Sequence, residues 1–180
     1  MDGRIVRRGP ARLRRAFTFA ALALASACAT ATLPASESGP ALGRPLPDFA
    51  RPTIDGSMFS SASLRGRVVV VEFFAQYCKP CWKTLPQVER LAKSDSDLAV
   101  IGVGEDEFES ETHSMAQKLG LSFPVLHDAG NTLAGRFRVG TLPTTLVLDR
   151  TGVVRWQARP GDGIDELRRA VSAVRRAPSR

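Results

Sequence analysis

Apolar positions in this chain group into runs of strand length alternating with stretches of helical period. Val68-Val69-Val70-Val71-Glu72-Phe73-Phe74 is a β-branched and aromatic run broken by one acid. Such a run predicts a central strand covered on both faces, where apolar–polar alternation disappears. Leu98 to Val103 is a second run of the same kind, set off by the polar break Ser94 to Asp97. Helical patterns cover Trp82 to Lys93 and Ser110 to Leu119, the latter ending at Gly120. Phe123 to Leu126 is short, and Thr132 to Phe137 fits one or two helical turns. Thr144 to Leu148 and Val153 to Gln157 flank Asp149-Arg150-Thr151-Gly152, a hairpin loop. Ile164, Leu167, Val171 and Val174 then share one helix face. Asp55-Gly56 marks an earlier turn between short extended segments. Strand, helix, strand, helix, hairpin and closing helix predict an α/β domain with a mixed sheet.

The N-terminus follows another logic. Arg4 to Arg15 form a positive region, and Ala16 to Ala27 an apolar run of 12 residues. That is the build of an export signal and is short for a membrane span. Ala25-Ser26-Ala27 suits a signal peptidase, and Leu24 to Cys28 resembles a lipobox in which Cys28 is acylated, although Ala25 stands where a Leu is usual. Lipidation of Cys28, simple cleavage and retention as an anchor all carry the body across a membrane. The Ala-, Ser-, Thr-, Pro- and Gly-rich stretch that follows reads as a flexible tether. The boundaries are therefore a signal over 1–28, a linker over 29–43, a domain over 44–176 and a tail over 177–180.

Charge changes the picture only by its location. The 180-residue chain carries a net +7. Residues 1–28 hold six arginines against one acid, a net of +5, and the other 19 basic and 17 acidic residues leave +2. A nearly neutral body lacks the electrostatic footprint of a nucleic-acid binder. The run Glu105, Asp106, Glu107, Glu109, Glu111 reads as a solvated loop and helix start. Arg168, Arg169, Arg175 and Arg176 read as the exposed side of the last helix.

Candidate chemistry sits in Tyr77-Cys78-Lys79-Pro80-Cys81-Trp82. A Cys-x-x-Cys pair after a buried strand and before a helix is a specific signal. Free N–H groups at the helix start, together with Lys79, favour thiolate, so the Cys78 pKa is expected below the free value of ~8.5. Pro80 suits the first helical turn. Cys78 is expected to attack a substrate disulfide and Cys81, one turn inward, to resolve the mixed disulfide. Glu72, buried in the strand six residues before Cys78, is the candidate base for the Cys81 proton. Structural zinc takes four ligands, and neither His113 nor His127 belongs to a Cys/His cluster in the sequence; no metal or cofactor is expected. The competing reading is a metallochaperone whose two thiolates hold Cu(I).

The run Val71 to Pro86 resembles the thioredoxin superfamily, and most of all its exported TlpA/ResA-like thiol-disulfide oxidoreductases, which overlap the AhpC/TSA group. Gly43 to Phe49 resembles the family's opening G-x-x-x-P-D-F segment, and Leu64 to Val69 its L-R-G-K-V-V lead-in. Pro86 matches the helix proline, and Gly140 to Thr145 the cis-proline segment. The likeness covers residues 43–176. It implies a thioredoxin-like fold, a mixed central β-sheet flanked by helices on both faces, here with an N-terminal extension. It implies a cis Pro143 against the cysteine pair, leaving the Leu142 backbone free to pair with an extended substrate. Substrate contacts are expected from Tyr77, Lys79, Pro80, Trp82 and Leu142. Glu72 stands where the TlpA-like branch often has Asn and thioredoxin has an acid. Thr84 stands where ResA-like relatives carry a Glu. Val71 and Ala75 replace the Pro and Thr of a peroxiredoxin motif. The resemblance also implies protein-disulfide substrates, such as those of cytochrome c maturation or metal-site assembly, and a membrane electron donor of the DsbD/CcdA type. The expected place is periplasmic or extracytoplasmic, lipid-anchored to a membrane.

Overall fold

A computed structural model describes residues 1–3 and 39–177. The chain divides into two units, Met1–Thr30 and Ala31–Arg180, and all the elements below belong to the second. The export signal, Cys28, linker residues 29–38 and tail residues 178–180 lie outside the described residues.

A five-stranded mixed sheet forms the centre, in the order β5-β4-β3-β6-β7. Its strands are β3 (Val68–Phe74), β4 (Leu98–Gly104), β5 (Val125–His127), β6 (Thr144–Leu148) and β7 (Val154–Gln157). β3 is the middle strand, parallel to β4 and antiparallel to β6. β1 (Ala50–Pro52) and β2 (Met58–Ser60) make a separate antiparallel pair around the Asp55-Gly56 turn. The helices are α1 (Cys81–Ser94), α2 (Glu109–Leu119), α3 (Thr132–Phe137) and α4 (Ile164–Arg176). The expected segments all form, with ends moved by a residue or two, because fraying and capping rather than apolar period decide the last turn.

All seven residues of β3 and all seven of β4 are buried. Parity divides the sheet's side chains between two cores. Val68, Val70, Phe74, Val100 and Val147 join Leu85 and Val88 of α1, Met115 of α2 and Val171 of α4. Val69, Val71, Phe73, Ile101 and Leu146 join Leu133 and Phe137 of α3 with Phe59 and Leu64. Helices thus cover both faces, as the resemblance implied. Phe73 and Phe137 meet edge-to-face at 6.0 Å between centroids.

The linker ends earlier than expected. Ala41 is fully buried, its N–H bonds Gln157 Oε1 at 3.1 Å, and the Gly43 N–H bonds the Val154 carbonyl at 2.9 Å. A small apolar side chain and two satisfied backbone donors are enough to dock this segment, whatever its composition suggests.

Gly104 ends β4 where the chain turns toward the site. A Cβ there would stand 2.3 Å from the Thr112 side chain. Gly104→Ala is expected to destabilise the protein by about 1–3 kcal/mol, read as a lower urea midpoint, because β4 and α2 must part to admit a methyl. Gly135→Ala, on the open side of α3, is expected to leave the midpoint unchanged or raise it.

Candidate active site

The strand-to-helix transition places the cysteines. β3 ends at Phe74, and residues 75–80 turn into α1, whose first residue is Cys81. Pro80 takes the N-cap position with helical backbone (φ −62°, ψ −31°). The loop is pinned from three sides. The Cys78 N–H donates to the Ala75 carbonyl (3.1 Å), the Gln76 N–H to Asp106 Oδ1 (2.7 Å), and the Trp82 indole N–H to the Gln76 carbonyl (2.9 Å).

Cys78 and Cys81 are joined in a disulfide, with Cα atoms 5.3 Å apart. The Cys81 backbone N–H points at Cys78 Sγ, 3.3 Å away. It also donates to the Cys78 carbonyl at 3.0 Å, so a thiolate at Cys78 would share this helix-start donor. Cys81 is wholly buried and Cys78 is 6 % exposed. The inner–outer order therefore agrees with the expectation, although the outer sulfur is more enclosed than a strand-edge position suggests.

Cys78 opens onto a cleft of about 580 Å³. Tyr77, Lys79, Pro80 and Leu142 line it with Glu105, as do Asn131 and Val139 to Thr141. The Leu142–Pro143 peptide is cis, as implied. Trp82 does not line the cleft. Its indole donates to the Gln76 carbonyl and packs against the core, so it holds the loop.

Glu72 shares the strand face of Val70 and Phe74, the face that packs on α1 and Cys81. Its side chain is fully buried. Oε2 accepts the Thr145 hydroxyl at 2.6 Å, while Oε1 is buried with no hydrogen-bond partner. Burial raises its pKa to about 7, and hydrogen bonds from Thr145 and Thr84 only partly oppose this. The Thr84 hydroxyl also reaches the Cys81 carbonyl at 3.3 Å, linking the carboxyl to the inner cysteine's own helical turn.

The acidic run after β4 is not simply a solvated loop. Asp106 is buried and accepts from the Gln76 N–H and, at 2.8 Å, from the Thr112 hydroxyl. Glu105 turns into the cleft, and its pKa is raised to about 8 by burial and by the neighbouring Asp128 and Asp106 carboxylates. A sequence shows a row of acids but not the strand ends and helix that enclose two of them.

An enclosed cysteine pair at a helix N-terminus, open on one side and backed by a buried carboxyl, defines a thiol-disulfide oxidoreductase of the thioredoxin superfamily. The AhpC/TSA family model matches residues 42–157, and the chain belongs to that family. The thioredoxin-like protein YneN of Bacillus subtilis is 34 % identical over 63 % of this chain and 68 % of its own length. ResA, a thiol-disulfide oxidoreductase of Bacillus thuringiensis, is 30 % identical over 63 % of this chain and 66 % of its own. A secreted disulfide oxidoreductase of Mycobacterium tuberculosis, homologous to DsbE of E. coli, superposes with a TM-score of 0.63. That likeness covers 69 % of this chain and 95 % of the other, at 25 % identity. Within the superfamily the chain is of the TlpA/ResA-like kind.

The Glu72 pKa carries a stability signature. An unfolded Glu titrates near 4.5 and the folded one near 7, so the native state holds the extra proton between these values. Folding stability therefore falls as pH rises through this window and levels off above it. Glu72→Gln is expected to flatten that slope and to stabilise the oxidised protein at pH 8 by up to about 3 kcal/mol, the equivalent of the shift. Urea unfolding at pH 5, 6.5 and 8 measures it, and equal slopes for both proteins would remove the buried-proton account.

Proposed function

We propose that this chain reduces protein disulfides outside the cytoplasm, held at a membrane by its N-terminus. The observation that carries the reading is the Cys78–Cys81 disulfide at the start of α1, with one sulfur on the cleft and the other above a buried carboxyl. Cys78 attacks as thiolate and a mixed disulfide forms. Glu72 takes the Cys81 proton, directly or through a water. Cys81 then attacks Cys78 Sγ, and the substrate leaves as a thiol. A carboxyl titrating near neutral pH suits that task, because it accepts a thiol proton and still gives it up between turnovers.

The cleft supports an extended polypeptide as substrate. Gly140 and Thr141 are exposed, and the backbone before Pro143 runs along the cleft wall where a partner strand would pair. The secreted relative and the export-type N-terminus support an extracytoplasmic place. Lipidation of Cys28, a DsbD/CcdA-type electron donor and a role in cytochrome c maturation or metal-site assembly extend the same reading. Thr84, in place of the ResA-like Glu, argues against assuming ResA's substrate.

Cys81→Ser is expected to accumulate mixed disulfides on Cys78 that survive non-reducing electrophoresis and disappear with dithiothreitol, while Cys78→Ser accumulates none. Glu72→Gln is expected to slow resolution at pH 7 by about 100-fold. No trapped partner, together with tight Cu(I) binding by the reduced wild type, would transfer the site to metal delivery.

A further inference from the structure

Glu105 is a second carboxyl at this site with no part in the exchange steps given so far. It follows the last residue of β4, and its N–H donates to the Phe74 carbonyl at 2.8 Å, which ties it to the end of the strand that leads to Cys78. Its side chain lines the same cleft as Cys78. One oxygen, Oε1, is sealed from solvent and receives no hydrogen bond. The charged groups around it are otherwise engaged. Asp128 is fully buried and accepts from Arg51 (2.8 Å), the Thr132 hydroxyl (2.8 Å) and the Leu133 and Ala134 N–H groups (2.7 and 3.0 Å). Asp106 is bound by Gln76 and Thr112, and its carbonyl oxygen faces His127 Nε2 at 2.9 Å. Among the described residues no salt bridge reaches Glu105, and the cleft's one lysine, Lys79, is exposed. Without a cationic partner, and beside carboxylates already supplied with donors, Glu105 is the acid that keeps its proton. Burial and the neighbouring Asp128 and Asp106 carboxylates hold that proton on.

We propose that Glu105 is the general acid that protonates the substrate thiolate expelled from Cys78. This rests on the exchange reading above and adds the fate of the second proton. In the mixed disulfide, Cys78 Sγ is bonded to a substrate sulfur inside the cleft. The Cys81 thiol gives its proton to the Glu72 carboxylate and its sulfur attacks Cys78 Sγ. The Cys78–Cys81 bond forms and the Cys78–substrate bond breaks. The electron pair of the broken bond goes to the substrate sulfur, which takes the proton of the Glu105 carboxyl. The dithiol is oxidised, the substrate sulfur is reduced, and protons and electrons balance. An alkyl thiolate, with a conjugate-acid pKa of ~8.5, is a poor leaving group, so a proton delivered to it in the cleft lowers the barrier to its release. Glu105, whose pKa of about 8 is close to that of the thiol, is well matched to this transfer and recovers its proton through the open side of the cleft. Two carboxyls thus divide the work, Glu72 receiving behind the disulfide and Glu105 giving in front of it.

The test is single-turnover thiol release at pH 7 from two disulfides by the reduced wild type, Glu105→Gln and Glu105→Asp. The first is a peptide disulfide, whose alkyl leaving group needs a proton. The second is dithiobis(nitrobenzoate), whose aromatic thiolate does not. Glu105→Gln is expected to slow peptide-thiol release by about 100-fold and to leave thionitrobenzoate release within about twofold, with Glu105→Asp recovering part of the loss. Equal slowing of both would make Glu105 a merely positional residue, and no slowing of either would remove it from the reaction; both outcomes overturn the proposal. A wild type that releases neither thiol overturns the exchange reading itself.

Discussion

A carboxyl buried on the central strand is the constraint around which the rest of the structure is arranged. β3 is covered on both faces, so every side chain on it has one of two interiors to occupy, and alternation assigns Glu72 to the interior roofed by α1. That face also receives Cys81 and Leu85. Placing an acid there opposes folding at alkaline pH, since burial strips its water and hydroxyl donors only partly replace it. The strand tolerates it because thirteen other β3 and β4 residues are apolar or small and bury cleanly around it. A group that lowers stability above its pKa yet sits beneath a redox pair is where stability and function are most directly exchanged.

The loop between β3 and α1 shows how backbone hydrogen bonds can serve reactivity. Its donors and acceptors are claimed by Asp106, Trp82 and Ala75, and the turn they fix brings the Cys81 N–H, bonded to the Cys78 carbonyl, to face the Cys78 sulfur as well. Trp82 and Asp106 are therefore scaffold. They act on the cysteines by fixing the turn that aims them. The Asp106 carboxyl is also bound to Thr112 on α2, so the loop and the helix on the sheet's α1 side are joined through one buried acid.

Charge is distributed asymmetrically about the sulfurs. Glu72 and Glu105 are both raised toward neutrality, by burial in the first and by burial with two acidic neighbours in the second. Glu89, which meets Lys93 and Ser122, and Asp149, which meets Thr151, Val153 and Arg155, are instead held low by donors. Those acids fasten helices and hairpins. The two raised ones border the disulfide, and thiol exchange needs proton donors and acceptors that change state near neutral pH.

Much of this was legible in the residues themselves. The β-branched run, the Cys-x-x-Cys at its exit, the hairpin and the amphipathic last helix are local patterns, and their consequences follow from backbone period and helix-end chemistry. An acid inside an apolar run also announces its own burial, which is why Glu72 could be singled out. Glu105 and Asp106 gave no such sign, since a row of acids looks the same whether it faces water or a neighbouring strand end. Residues 39–43 read as tether for the same reason, their partners Gln157 and Val154 being set by the fold. Sequence alone determined which segments are strand or helix and where two sulfurs meet a helix start. The tertiary structure decided which polar groups lose their water, because burial depends on residues far apart in the chain and no local pattern encodes it.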